Sequence, residues 1–182
     1  MRCQWLRMMF CTALVMSEVP AAWSQEKAEA QGDKPLLTMY GRNSKITKPR
    51  FLRITSADDW RALWLEHKTG SAKPDDLPGD LEYAELDFEK VMAIALFQGE
   101  GCNCRGFTSH AIKEDEGQVL VRLKTHWYQS GPETPDTQAW GILVLPRSTK
   151  EVILEHNVAS TIGAPPVWEQ WKRFPELPAK KR

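Results

Sequence analysis

The sequence predicts an α+β protein, a mostly antiparallel sheet with one main helix packed against it. Three observations carry that expectation. FLRITSADDWRALWLEHKTG (51–70) passes from strand-like to helix-like periodicity within one stretch. VMAIALF (91–97) holds no polar residue and has strand length. Several further strand-like segments then follow with no second long helical pattern, and one helix before a run of strands is the order of an α+β fold rather than an alternating α/β one.

The ends of the 182-residue chain read differently from its middle. Arg2 and Arg7 precede an apolar run, MMFCTALVM, and Ala22 and Ser24 supply small residues before a cut near Gln25. Basic start, short apolar run and small residues form the three-part pattern of a secretory signal peptide over 1–24. The run is about half the roughly 20 residues a spanning helix needs, and Met8, Met9 and Phe10 lack the small residues that lipid attachment at Cys11 requires. The expectation is an exported, periplasmic or extracellular chain with no membrane anchor. Losing Arg2, Arg7 and Glu18 from 24 basic and 24 acidic residues leaves a net charge near −1. That balance carries no electrostatic footprint for nucleic acid.

Residues 25–50 read as a largely flexible leader with room for one short strand, because QEKAEAQGDK is charged and poor in large apolar groups. The domain is expected over 51–157. Ser56 suits a helix N-cap with Asp59 as its capping-box partner, and Gly70 is the stop signal. Trp60, Leu63, Trp64 and His67 recur at i, i+3, i+4 and i+7, one stripe for the core. Val91 to Phe97 is apolar on both alternating faces, as a central strand covered on both sides should be. GFTSHAIKE predicts a strand. GQVLVRLKTHWYQ predicts a clearer one, with Val119, Val121, Leu123, Thr125 and Trp127 on one face. AWGILVLPR predicts a buried strand ended by Pro146, and KEVILEHN is expected to return beside it as a hairpin across PRSTK. In the Pro- and Trp-rich tail, 158–182, Trp168, Trp171 and Phe174 at three-residue spacing predict a short helical turn with an aromatic edge. That edge either docks on the domain or is presented to a partner.

GEGCNCRGF (99–107) is the chemically conspicuous stretch. After signal removal Cys102 and Cys104 are the only cysteines left of four, and export places them where disulfides persist. On a regular strand their Cα atoms would stand about twice 3.3 Å apart, the far limit for a bridge, but Gly99, Gly101 and Gly106 make a shortening turn easy. The expected arrangement is a small disulfide clamp on an exposed turn. Two further readings stay open: free thiols, or a copper or zinc site in which His110 joins the two sulfurs. A closed zinc site normally takes four protein ligands, and the chain has no second cysteine pair.

The helix bearing DDWRALW, the DFEK entry into VMAIALFQGE, the glycine-bounded turn ending in Gly106-Phe107 and the strand AWGILVLPR together resemble the PrcB C-terminal-like domain. The resemblance covers roughly 51–157. That family takes its name from an extracytoplasmic bacterial protein that accompanies and stabilises a protease complex. The resemblance implies an exported, non-enzymatic domain that binds or stabilises another exported protein, such as a protease, with no cofactor. Phe107, Trp168 and Trp171 are the candidate partner-binding residues. The Cys-Asn-Cys insertion departs from the family's turn and inherits no function from it, so a thiol-redox or metal-binding protein is the alternative reading.

No catalytic residue is expected. Ser109 and His110 are adjacent on a strand and point to opposite faces. The sequence holds no nucleophile elbow, zinc-protease helix, phosphate loop or dinucleotide fingerprint.

Overall fold

Strand-forming residues dominate, and the chain uses them in two sheets. The computed structural model describes residues 34–71, 84–101, 103–129, 137–159, 161 and 164–178. In chain order the elements are β1 (Leu37–Gly41), β2 (Arg50–Ile54), α1 (Ala57–Thr69), β3 (Val91–Phe97), β4 (Cys104–Glu114), β5 (Gln118–Trp127), β6 (Trp140–Pro146), β7 (Glu151–Asn157) and β8 (Trp168–Phe174). One four-stranded sheet has the order β1-β6-β3-β2 and is antiparallel throughout. The other has the order β4-β5-β7-β8, with β5 and β7 parallel. The molecule is therefore broadly α+β and mostly β, and the single sheet expected from sequence is two.

Both faces of β3 are buried, as its composition requires. Met92, Ile94 and Leu96 join Leu143 and Leu145 of β6, Val119, Val121 and Leu123 of β5, and Val152 and Leu154 of β7 in one cluster. Ala93, Ala95 and Phe97 belong to a second cluster with Trp60, Leu63 and Trp64 of α1. The small Ala side chains on that face leave room for the indoles, whose rings meet edge to face 5.5 Å apart.

The helix is bounded as its sequence predicts. Ser56 Oγ accepts from Asp59 N–H (3.2 Å) and donates to Asp59 Oδ2 (2.6 Å). Gly70, at φ 81°, donates its N–H to Glu66 O at 2.8 Å.

Two expectations are corrected. First, β6 and β7 form no hairpin; they lie in different sheets. Arg147 donates to Thr55 O (3.2 Å) and Phe88 O, while Arg53 on β2 donates to Ser148 O, Lys150 O (2.9 Å) and Pro175 O (3.1 Å). These two guanidiniums gather the connecting carbonyls and carry the chain across from one sheet to the other. Burial, helped by the charge of Arg147, lowers the Arg53 pKa from its ordinary value.

Second, the tail segment is a strand. Residue pairing between β7 and β8 shifts between Leu154 and Glu155, which leaves Trp171 as an extra residue, a β-bulge. The bulge resets the two-residue alternation, so Trp171 and Phe174, three apart, both reach the core cluster. A helical turn and a bulged strand share that spacing. The short strand allowed in the leader is β1, and β8 lies in the tail, so each sheet includes one strand from outside 51–157.

Candidate functional site

Glycines decide how β4 meets the first sheet. Gly106 has φ 126°, and a Cβ there would stand 2.6 Å from Trp140 O and 2.9 Å from Gly41 N. A Cβ on Gly141 would collide with Phe107. Backbone thus runs against backbone where β1 ends and β6 begins, which only residues without a side chain permit. The pairing of β4 with β5 also shifts between Cys104 and Phe107, so these two residues, three apart, both enter the core cluster.

The turn before β4 is tied down by main-chain bonds. Gly101 and Thr137 exchange N–H···O bonds of 3.0 and 2.6 Å, Glu100 N–H reaches Thr47 O at 3.0 Å, and Tyr128 N–H reaches Asn103 O at 2.9 Å. Thr137 Oγ1 donates to Cys104 O (3.2 Å). Gly99, at φ 78°, would clash with Thr47 O and Pro49 if it carried a Cβ, so geometry requires glycine at 99 and 106, whereas a Cβ at Gly101 would meet only the movable Gln98 side chain. Asn103 also has a positive φ, 61°. Three solvent-shielded side-chain atoms of this end, Gln98 Oε1, Asn103 Oδ1 and Tyr128 OH, have no hydrogen-bond partner among the described residues. Such groups cost about 1–3 kcal/mol each.

Cys102 lies outside the described residues, so the Cys102–Cys104 bond remains an expectation. Cys104 itself is buried, at 0% exposure, which corrects the exposed clamp: its side of the turn faces the core. Its Sγ accepts from Gly106 N–H at 3.4 Å and donates back to Gly106 O at 3.6 Å. Burial pushes the thiol pKa up, against the opposing Gly106 hydrogen bond, and a thiol held protonated is a poor nucleophile or metal ligand. His110 is not beside it. Six residues of strand span about 20 Å, and His110, the unpaired residue where β4 shifts between Ser109 and Ala111, is exposed and meets the Trp168 ring at 5.2 Å. Among the described residues no three His, Cys, Asp or Glu side chains gather as a metal site.

The aromatic candidates divide. Phe107 is buried in the core, and Trp171 is wedged among Phe51 (4.9 Å), Phe107 (5.7 Å) and His156 (4.6 Å). Both are packing residues. Trp168 lies half-buried on the outer side, with the Arg122 guanidinium 5.1 Å over its ring and Arg122 paired to Glu155 at 3.0 Å.

The exposed aromatics are others. Trp127, the register partner of Cys104, is 67% exposed rather than continuing the buried face of β5. Tyr40 is 50% exposed and stacks on His126 at 5.0 Å and 15°. His126 Nε2 meets Thr108 Oγ1 at 2.9 Å, and Arg105 covers the Tyr128 ring at 5.2 Å. Burial first, then the charge of Lys124, lower the His126 pKa. These residues converge from β1, β4 and β5 on one end of the molecule, an aromatic rim with basic neighbours. Sequence reasoning missed Tyr40 and Trp127 because alternation cannot say where the opposing sheet stops covering a strand.

A serine–histidine pair also escaped the sequence. Ser44 Oγ lies 2.9 Å from His67 Nδ1, with Ser44 3% and His67 2% exposed. Ile46 N–H donates to the same Oγ, and Lys45 N–H donates to His67 O. The imidazole is boxed by Trp140 (4.5 Å), Trp64 (5.3 Å) and Phe97 (5.8 Å). Sealed from substrate, the pair fastens the segment before β2 to the end of α1.

No family model, curated protein or solved structure matches the chain. Among the described residues no helix is long and apolar enough to cross a membrane.

Proposed function

We propose that this is an exported, non-enzymatic domain that binds and stabilises another exported protein, a protease being the partner class implied by its resemblance to the PrcB C-terminal-like family. The observation that carries the reading is the aromatic rim: Tyr40 on β1 and Trp127 at the end of β5, both exposed, at a rigidly tied end of a β-scaffold that also carries Arg105. Exposed Tyr and Trp anchored on stiff backbone give large contact area at low entropic cost, which is how binding hot spots are built. The unpaired polar atoms of Gln98, Asn103 and Tyr128 at the same end support it. The thiol or metal alternative draws no support from Cys104, whose sulfur is buried and whose thiol pKa burial raises.

Site-specific photo-crosslinking in the source cell tests the proposal. A crosslinker at position 40 should trap one discrete exported partner, and the adduct should disappear with Trp127→Ala but persist with Lys113→Ala elsewhere on β4. Equal labelling of many proteins, or an adduct indifferent to Trp127→Ala, would overturn it.

A further inference from the structure

At the end of the two sheets opposite the aromatic rim, a surface cleft lies over the edge of the core. Its volume is about 260 Å³, and it lies between the start of β1, the start of β3 and the end of β6 on one side and the β4–β5 turn region on the other. Its floor is Met92, Ile112, Val119 and Leu145, all buried members of the inter-sheet cluster, and Pro146 adds an exposed apolar side. Leu36, 63% exposed, stands at the rim, and Lys34 and Glu114 are the charged residues of the lining.

We propose that this cleft is a binding site for a medium-chain aliphatic carboxylate, its alkyl chain laid over the cluster's edge against Leu36 and Pro146 and its carboxylate at Lys34. Size and charge together select that class. A dry cavity of about 150 Å³ holds a six-carbon ring, so the cleft suits a chain of about ten carbons. Its lining offers apolar side chains, which reward burial of methylene groups and no polar tail. The charge at the mouth is uneven. Glu114 is already occupied by Lys150 at 2.8 Å, and the nearby Asp115 carboxylate accepts from the Gly117 and Gln118 N–H groups at 2.9 Å each. Lys34 has no carboxylate partner among the described residues. Its ammonium is the group left to receive a ligand's carboxylate.

The mature chain expected from the sequence retains two methionines, Met39 and Met92, which makes the test specific. Met92 lines the cleft, while Met39 packs against the other cluster. With methyl-labelled methionine, decanoate should shift the Met92 signal saturably and leave Met39 unmoved. Lys34→Gln should weaken decanoate about fivefold without weakening decanol. Ile112→Phe, which fills the cleft, should abolish both. Leu36→Glu, at a position 63% exposed, should weaken decanoate more than decanol by placing a like charge at the mouth. No saturable Met92 shift up to about 5 mM ligand, equal movement of Met39, or decanol matching decanoate in the native chain would each overturn the proposal.

Discussion

The two ends of the sandwich are built on opposite principles. Where β1 finishes and β6 starts, Gly41, Gly106 and Gly141 let main chain meet main chain, and the large rings of Tyr40 and Trp127 are left outside. Where β1 starts and β6 finishes, Met92, Ile112, Val119 and Leu145 keep the sheets apart and floor a surface cleft at their edge. Backbone contact is stiff and unforgiving of added atoms. Side-chain contact is adjustable and leaves room for a ligand. The difference assigns rigid presentation to one end and accommodation to the other.

The largest expected effect lies at the closed end. Gly106→Ala places a methyl 2.6 Å from Trp140 O at a φ of 126°, so strand β4 must withdraw from the first sheet. The substitution should cost about 3–4 kcal/mol, read as a shifted urea midpoint at unchanged slope. A midpoint within about 0.5 kcal/mol of the native chain would break the contrast between the ends.

The next effect reports on the layer directly beneath Trp140. Burial, with a smaller contribution from Lys68, lowers the His67 pKa from 6.5 to about 4. Between those values the unfolded chain binds a proton that the folded chain excludes, so stability rises with pH across the window. The contribution is complete above about pH 6.5 and is lost as pH falls toward 4, amounting to about 3 kcal/mol. Urea titrations at pH 7 and pH 4.5 should show a large part of that loss, and His67→Phe should flatten it. A pH dependence unaltered by that substitution would remove His67 from the closed end's support.

At the open end the same kind of perturbation should be milder. Ile112→Val removes one methylene beside space that already exists, so it should cost about 0.5–1 kcal/mol, the low part of the range for that change. Decanoate affinity should change less than with Ile112→Phe. A cost near that of Gly106→Ala would show that the cleft floor is as unforgiving as the backbone contact opposite.

What could be read in the sequence was local. Ser56, Asp59 and Gly70 bound α1 as their side chains dictate, the Trp60, Leu63, Trp64 stripe is buried, and the apolar runs of β3 and β6 occupy sheet interiors. Partner choice was not legible. KEVILEHN satisfies its edges equally well beside β6 or beside β5, and the decision rests on Arg53 and Arg147 binding carbonyls about 60 to 120 residues away in the chain. Bulges were not legible either: one at Trp171 gives a strand the three-residue spacing of a helix, and one before Phe107 brings Cys104 inward. Ser44 carried no local signal at all, because its role exists only when residue 67 folds against it.

Trp127 gives the smallest effect on stability and the sharpest test of function. By alternation it belongs to the buried face of β5 with Val119, Val121 and Leu123; in the structure it stands beyond the cover of the first sheet, 67% exposed. If it were buried, Trp127→Ala would cost about 3–5 kcal/mol. Standing in solvent, it should cost less than about 0.5 kcal/mol. Cys104, its register partner, adds a second readout in the reduced chain. With reductant removed just before assay, Cys104 should resist alkylation in the native chain and in Trp127→Ala alike, and react only in denaturant, because the cover over it comes from the core and not from the indole. Stability and thiol protection held constant while the crosslink from position 40 vanishes would separate a binding residue from a packing one. A cooperative loss of all three would return Trp127 to the core and leave the rim with Tyr40 alone.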